Sequence, residues 1–332
     1  CSSDLTMTAA SYPLRKIQFG VESTPGTGVA ATKKLVGEGT YTPEVDRYYP
    51  SYPRGVRASV TGGGVDTRKG SSLSFSSELD FEQVMLFLDT GLVSRSTTGS
   101  GPYTHTYDPN PTAAPSVKGA TFEFVIDDGS TKHYEKEFSF GTTRSLSISL
   151  AYNDIARLSA NVFGRAEQSS TMTGGLSELT RSPIPSNLFN VYIDSSWATL
   201  GNTQKSVVIR SASLDLNFGV APDYALDGRS DLDFTHLQGG SITGSLSLTL
   251  EHNADAATEI GYWRTRTPRF IRLSAASGSK SIRFDMAGYY NAPPRFSHAG
   301  DVETVTLSYA LEYDPTGGEV LTARVVNDLG GM

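Results

Sequence analysis

Apolar and polar residues alternate in short runs along most of the chain, the period-two signature of strands with one buried face. Leu73–Leu79 places Leu73, Phe75, Ser77 and Leu79 on one side. Thr121–Ile126 runs into Asp127-Asp128-Gly129, a hairpin turn signal. The return strand, His133–Phe140, carries Tyr134, Lys136, Phe138 and Phe140 on one face, and Ser145–Tyr152 and Ile155–Gly164 alternate again. Further strands are predicted at Val207–Phe218, Ser241–Leu250, Arg269–Ala275, Ser281–Tyr290 and Val302–Tyr313, with a turn at Ser277–Lys280. The period changes in two places only. Asp80–Leu88 and Asn253–Trp263 read as helices, with Asp80 and Asn253 as N-caps.

The two helices hold the same place in a recurring order, strand, helix, strand. An offset of 172 residues brings Val21-Glu22 onto Ile193-Asp194, and one of 173 brings Ser72–Phe75 onto Ser245–Leu248. Ser145–Leu150 is matched with Thr304–Tyr309 at an offset of 159, the shortfall being ascribed to a Pro/Gly/Thr-rich insert, Ser96–Pro115. The organisation expected is a lead (1–16), a first β domain (17–167), a Ser/Thr/Gly/Pro linker (168–187) and a second β domain (188–332) with a short tail. Two copies of one unit give two equivalent sets of contact surfaces, the usual basis of rings and arrays. Long polar segments also recur, Val45–Gly70 and Phe218–Gly240. Each exceeds the ~12–15 residues at which structureless loops become uncommon, so each is expected to be functional or an extended hairpin.

Composition narrows the function. The chain has 332 residues, 38% hydrophobic and 19% charged, with a net charge of −7. That is enough apolar material for packed cores and too little charge for disorder. Neither half is basic, with 16 basic and 18 acidic residues up to position 175 and 12 and 17 after it. Tight binding of nucleic acid by phosphate neutralisation is therefore not expected. The single cysteine, Cys1, allows no intramolecular disulfide and no Cys-based zinc site. Cys1-Ser2-Ser3-Asp4 fits a lipid-bearing N-terminus, whereas Met7-Thr8-Ala9 fits a natural start, with residues 1–6 upstream of it.

Catalytic patterns are weak. The five histidines are scattered, and Thr24–Lys34 lacks the Gly-Lys-Ser/Thr ending of a phosphate loop. Asp227, Asp231 and Asp233 lack the closing Glu and central Gly of a calcium loop. No cofactor, metal or catalytic residue is assigned. The arginines Arg264, Arg266, Arg269 and Arg272 suit pairing with acidic loops of a neighbour, which fixes register more than affinity. The competing reading is a surface-anchored bacterial lipoprotein or adhesin with a β-sandwich fold, resting on Cys1.

The segment Ile17–Leu35, with Gly20-Val21-Glu22, Thr24-Pro25-Gly26-Thr27 and Val29-Ala30-Ala31, resembles the opening of tail tube proteins of long-tailed bacteriophages. Val191–Gly201 and Gly244–Arg264 are similar to later elements of the same family. The resemblance implies a mainly β chain, here two tandem tail-tube-type domains, each a β-sandwich or partial barrel with one flanking α-helix. It implies a structural virion protein, assembled in the host cytoplasm, whose stacked rings conduct genomic DNA without specific binding and without a membrane. Implied partners are other copies of the chain and the tape measure, tail tip and terminator proteins. Family rings are commonly hexamers of single-domain subunits, so a duplicated chain is expected to close a ring with three. Ring stacking is expected through Val45–Gly70 and Phe218–Gly240, with Arg47, Arg54, Arg57, Asp223, Asp227 and Asp231 as polar contacts, and subunit contact through Arg264 and Arg266. A negatively charged lumen would repel phosphate.

Overall fold

The structure is a computed structural model that describes residues 12–50, 52, 55, 57–58, 64–92, 95–113, 118–205 and 208–332. It is mainly β. The first half contains β1 (Lys16–Val21), β2 (Lys33–Leu35), β3 (Glu38–Tyr48), β4 (Val65–Glu78), helix α1 (Val84–Gly91), β5 (Arg95–Thr98), β6 (Tyr103–Tyr107), β7 (Ala120–Asp127), β8 (Lys132–Ala151), β9 (Arg157–Gly164) and β10 (Gln168–Ser169). The second contains β11 (Phe189–Asp194), β12 (Ile209–Asn217), β13 (Val220–Asp223), β14 (His236–Gly239), β15 (Thr243–Glu251), helix α2 (Ala254–Thr265), β16 (Arg269–Ser277), β17 (Lys280–Tyr290), β18 (Arg295–Ala299), β19 (Val302–Leu311) and β20 (Leu321–Asn327).

All pairings between these strands are antiparallel, and their order recurs. In the first half hydrogen bonds connect β1 to β7, β7 to β8, β8 to β9, β9 to β4 and β4 to β3. In the second they connect β11 to β16, β16 to β17, β17 to β19, β19 to β15 and β15 to β12. Each helix follows the equivalent strand, β4 or β15. Strand β8 is 20 residues long; its first part pairs with β7 and its second with β9, so it passes from one layer to the other. The second half divides that task. Strand β17 ends at Tyr290, Asn291-Ala292-Pro293-Pro294 follows, and β18 resumes the pairing with β19. Prolines donate no ladder hydrogen bond, which accounts for the break. The pairing pattern sets Thr304–Tyr309 in the place of β9, so the place of Ser145–Leu150 falls to β18 and the residues before it rather than to the segment matched with it by sequence.

Strands β3, β4, β9, the second part of β8, β12, β15, β19 and β18 form one open sheet of eight, joined in that order. Its inner face supplies Leu73, Phe75, Leu158, Ile148, Leu214, Leu246 and Leu307 to one continuous core. Helix α1 is buried at all eight residues, whereas α2 buries only Ala256, Glu259 and Ile260. Asn253 caps α2 as expected, its Oδ1 accepting from the amide of Ala256 at 3.1 Å. Asp80 instead caps the turn before α1, accepting from the amides of Glu82 and Gln83 at 3.0 and 2.5 Å.

The expected insert and linker are both built into the fold. Hairpin β5–β6, inside the insert, pairs with β20 and extends the sheet that β11, β16 and β17 begin. Within the 168–187 segment, Arg181 bonds to the carboxylates of Asp80 and Glu78 at 2.7 and 2.9 Å. No helix among the described residues is long and apolar enough to cross a membrane.

Candidate functional site

The outer face of the eight-stranded sheet is made by the residues between those that fill the core. Antiparallel partners share a face, so transverse rows can be read across it. One row runs Glu78, Arg157, Ser149, Ser213, Ser247, Ser308. The next runs Ser76, Ser159, Ser147, Asp215, Ser245, Ala310. Short side chains bond to one another along this surface. Ser74 donates to Asn161 at 2.9 Å, Asn161 to Ser145 at 3.0 Å and Ser147 to Asp215 at 2.6 Å, while Thr249 and Thr306 lie 3.0 Å apart. The centre is thus a field of hydroxyl groups around the single carboxylate of Asp215, and further charges of both signs, Glu38, Glu78 and Glu251 with Arg157 and Arg295, stand near strand ends.

Within the chain the two halves are joined along this sheet. β12 pairs with β8 from Ser211 opposite Ala151 to Asn217 opposite Ser145. The outer strands β3 and β18 each have a ladder on one side among the described residues. Every residue of β18 is exposed, and Phe296 retains 64% of its surface. An edge strand of this kind is a template for another chain.

Two long hairpins rise from the sheet, one in each half. In the first, Arg47 bonds to Asp66 at 2.7 Å and Arg68 to Asp46 at 2.7 Å. The hydrogen bond from Arg47 holds the Asp66 carboxyl below the ordinary carboxylate range. Tyr48, Tyr49, Tyr52 and Val65 are exposed. Arg57 is exposed beyond them, and Arg54 lies outside the described residues. The second hairpin folds back onto the first half of the chain. Phe234 is fully buried, its ring centre 5.2 Å from Phe140 and 5.9 Å from Phe163. The amide of Lys69 donates to Leu232 at 2.9 Å, and Arg68 lies over the ring of Tyr224. Burial raises the Asp233 carboxyl above its ordinary range, although Arg229 and Arg165 oppose the shift.

The other sequence-predicted residues divide between these hairpins and α2. Asp223 lies 2.7 Å from His236, and Asp227 bonds to Arg229 at 2.8 Å, so both are engaged within their own hairpin. Asp231 is exposed in its turn. Arg264 and Arg266 share an open cleft with Trp263, Tyr289, Tyr290 and Glu312. The two arginines grouped with them turn inward: Arg269 forms a buried pair with Glu259 at 2.9 Å, and Arg272 bonds to Asp285 at 2.6 Å. Among the described residues, the hairpin arginines and hairpin aspartates are not brought together as pairs across the two hairpins. Sequence reasoning missed β18 and the burial of Phe234. Only Phe234, an aromatic residue inside a polar segment, left a signal that could have been read.

An open sheet with one packed face, one hydroxyl face and two edges that are unpaired among the described residues is suited to assembly. Comparison with curated proteins gave no match. The family model described as phage tail tube protein matches residues 14–314, nearly the whole chain. The chain therefore belongs to the phage tail tube protein family, whose members are structural components of the virion tail.

Proposed function

We propose that three copies of this chain close a ring of pseudo-sixfold symmetry, and that rings stack into the hollow tube through which phage DNA passes. The observation that carries this reading is the join between β8 and β12. It is a finished seam between two half-sheets of the same strand order, and β18 and β3 are the edges that carry one ladder each among the described residues, at the two ends of the sheet. In this reading residues 17–167 and 188–332 are two copies of one tube domain.

Three chains of eight strands make twenty-four. With ~4.8 Å between strands and a tilt of ~40°, the barrel radius is about 24 Å at the backbone. Short hydroxyl side chains leave most of that width open. Barrels of 16–18 strands already hold an aqueous channel, so a wider one accommodates a DNA duplex.

The hydroxyl face lines the lumen in this arrangement. Its centre offers phosphate no row of cations, and phosphate neutralisation is the main source of nonspecific DNA affinity. The net charge of −7 per chain adds long-range repulsion. The exposed first hairpin and the cleft at Arg264 and Arg266 serve contacts between rings and subunits. The ends of the tube meet the tape measure, tip and terminator components.

Negative-stain electron microscopy of the concentrated protein tests this. Hollow tubes or rings with three chains about the axis are the expected result. Six chains about the axis would remove the duplication reading, and compact monomers in the presence of a tail-tip preparation would remove the tube.

A further inference from the structure

We propose that the ring is closed by a specific ladder in which β18 of one chain lies antiparallel to β3 of the next. The pairs are Arg295 with Thr42, Phe296 with Tyr41, Ser297 with Thr40, His298 with Gly39, and Ala299 with Glu38. This rests on the tube reading and adds to it the residues and register of the joint.

The register follows from the seam already present in the chain. Leu73 pairs with Val162 and Leu246 with Tyr309, so β4 maps onto β15 by adding 173 and β9 onto β19 by adding 147. Tyr41 pairs with Leu73 and Leu214 with Leu246, so β3 maps onto β12 by adding the same 173. Ile148 pairs with Leu158 and Phe296 with Val305, so β8 maps onto β18 by adding 148. In the internal seam Leu214 faces Ile148 and Ser213 faces Ser149. Carried to the open edges, those pairs become Tyr41 with Phe296 and Thr40 with Ser297.

The chemistry of the open edges fits this placement. Phe296 occupies the position of Ile148, which is flanked by β12 and is 1% exposed in the core. Phe296 shares a face with buried Val305 yet keeps 64% of its surface. It is a core side chain whose cover is missing, and Tyr41 on the incoming strand supplies that cover. Opposite His298 stands Gly39, which has no side chain of its own to crowd the imidazole; a Cβ there would lie 2.1 Å from the Ile17 side chain, and Arg15 donates to the Gly39 carbonyl at 2.7 Å. On the outer face Thr40 and Thr42 meet Ser297 and Arg295, continuing the hydroxyl field across the joint. The occupant is a second copy because the same sheet already accepts this strand order once, within the chain.

Disulfide trapping tests the register. In a Cys1→Ser background, Thr40→Cys with Ser297→Cys places the two thiols on directly opposed residues, within the Cα separation a disulfide requires. Glu44→Cys with Ser297→Cys displaces them by four residues, roughly 14 Å along the strand. Assembled tubes are oxidised and run on denaturing gels without reductant. The expected result is a ladder ending at a covalent trimer for the first pair, at least about tenfold above the second pair, whose separation exceeds disulfide reach.

Three results overturn the proposal. Normal tubes without a cross-link in the first pair exclude the register while leaving the tube intact. A stronger cross-link in the displaced pair excludes it likewise. A dimer from Ser297→Cys alone means that β18 pairs with another β18. Failure of the wild-type chain to form tubes or rings in the same preparation would instead remove the underlying reading. A second variant, Phe296→Asp, alters only an exposed side chain. It is expected to keep the circular dichroism and melting of the monomer and to lose tubes, with Phe296→Leu restoring them. Tubes formed by Phe296→Asp as readily as by wild type would also exclude the joint.

Discussion

The two long hairpins of this protein have equal length and register and opposite fates. Arg47 pairs with Asp66 at the base of one, and Val220 with Gly239 at the corresponding place in the other, 173 residues on at both ends. In the first, Tyr48, Tyr49 and Tyr52 are exposed. The second bends where Gly219 and Gly240 approach each other, and buries Phe234 against the first half of the chain. A shared length therefore does not fix a shared packing; a few side chains decide whether a hairpin docks on the chain or leaves its rings exposed. The second hairpin has spent its apolar residues inside the chain. The first leaves Tyr48, Tyr49, Tyr52 and Val65 exposed.

The largest effect that separates the hairpins is expected at Phe234. Truncation to Ala removes a fully buried ring from among Phe140, Phe163 and Tyr224, and should cost about 3–5 kcal/mol. Tyr49→Ala in the first hairpin should change monomer stability by less than about 0.5 kcal/mol. Urea denaturation of both variants checks the contrast, and equal losses would mean that the first hairpin is also packed in the monomer.

Gly219→Ala should come next. Gly219 has φ of +70°, and a Cβ there would lie 2.5 Å from the carbonyl oxygen of Ser241. Left-handed backbone and a contact with main chain together cost about 1–3 kcal/mol. The expected signature is local: faster hydrogen exchange over 220–239 with the rest of the sheet protected. An unchanged exchange pattern would mean that the kink does not position the hairpin.

How much of this could be read from the chain depends on which force dominated locally. The strands with one buried face were legible, because Leu73, Phe75, Leu246 and Leu248 alternate with serines. So was the α2 cap, because Asn253 acts through its own side chain on the next turn. β18 was not. Its residues, Arg295-Phe296-Ser297-His298-Ala299, are all exposed in one chain, so no alternation marks a buried face, and the preceding prolines read as loop. The long polar segments gave the presence of hairpins but not their difference. Phe234 is buried by residues 71 and 94 positions away, at Phe163 and Phe140, and no local pattern records such a contact. The insert likewise gave turn signals, while its pairing with β20 is set by residues more than 200 positions on.

A smaller effect on the monomer, with a large one on assembly, is expected from replacing Tyr48, Tyr49 and Tyr52 together with Ser. All three are more than half exposed, so the melting temperature should stay within about 2 °C of wild type. Tube yield by sedimentation should fall sharply if these rings meet the next ring or subunit. Normal tube yield would assign the hairpin no part in assembly and leave the contrast with the second hairpin a matter of packing alone.

The smallest effect is in titration, and it has opposite sign in the two hairpins. The Arg47 hydrogen bond lowers the Asp66 carboxyl. Its contribution is present above the unfolded carboxylate range, near 3.9, and is lost as pH falls through the lower folded value. Burial raises Asp233. The folded state there retains its proton over a range where the unfolded chain has lost it, so docking weakens as pH rises from the ordinary carboxylate range through the folded value. Carboxyl carbon shifts followed by NMR on the monomer should place the Asp66 midpoint below the ordinary value and the Asp233 midpoint above it. Arg47→Ala should return Asp66 toward the ordinary range and leave Asp233 where it was. If the two midpoints coincide, Asp233 is open to water and the second hairpin is not docked in solution, which would erase the distinction between a hairpin packed on its own chain and one left exposed.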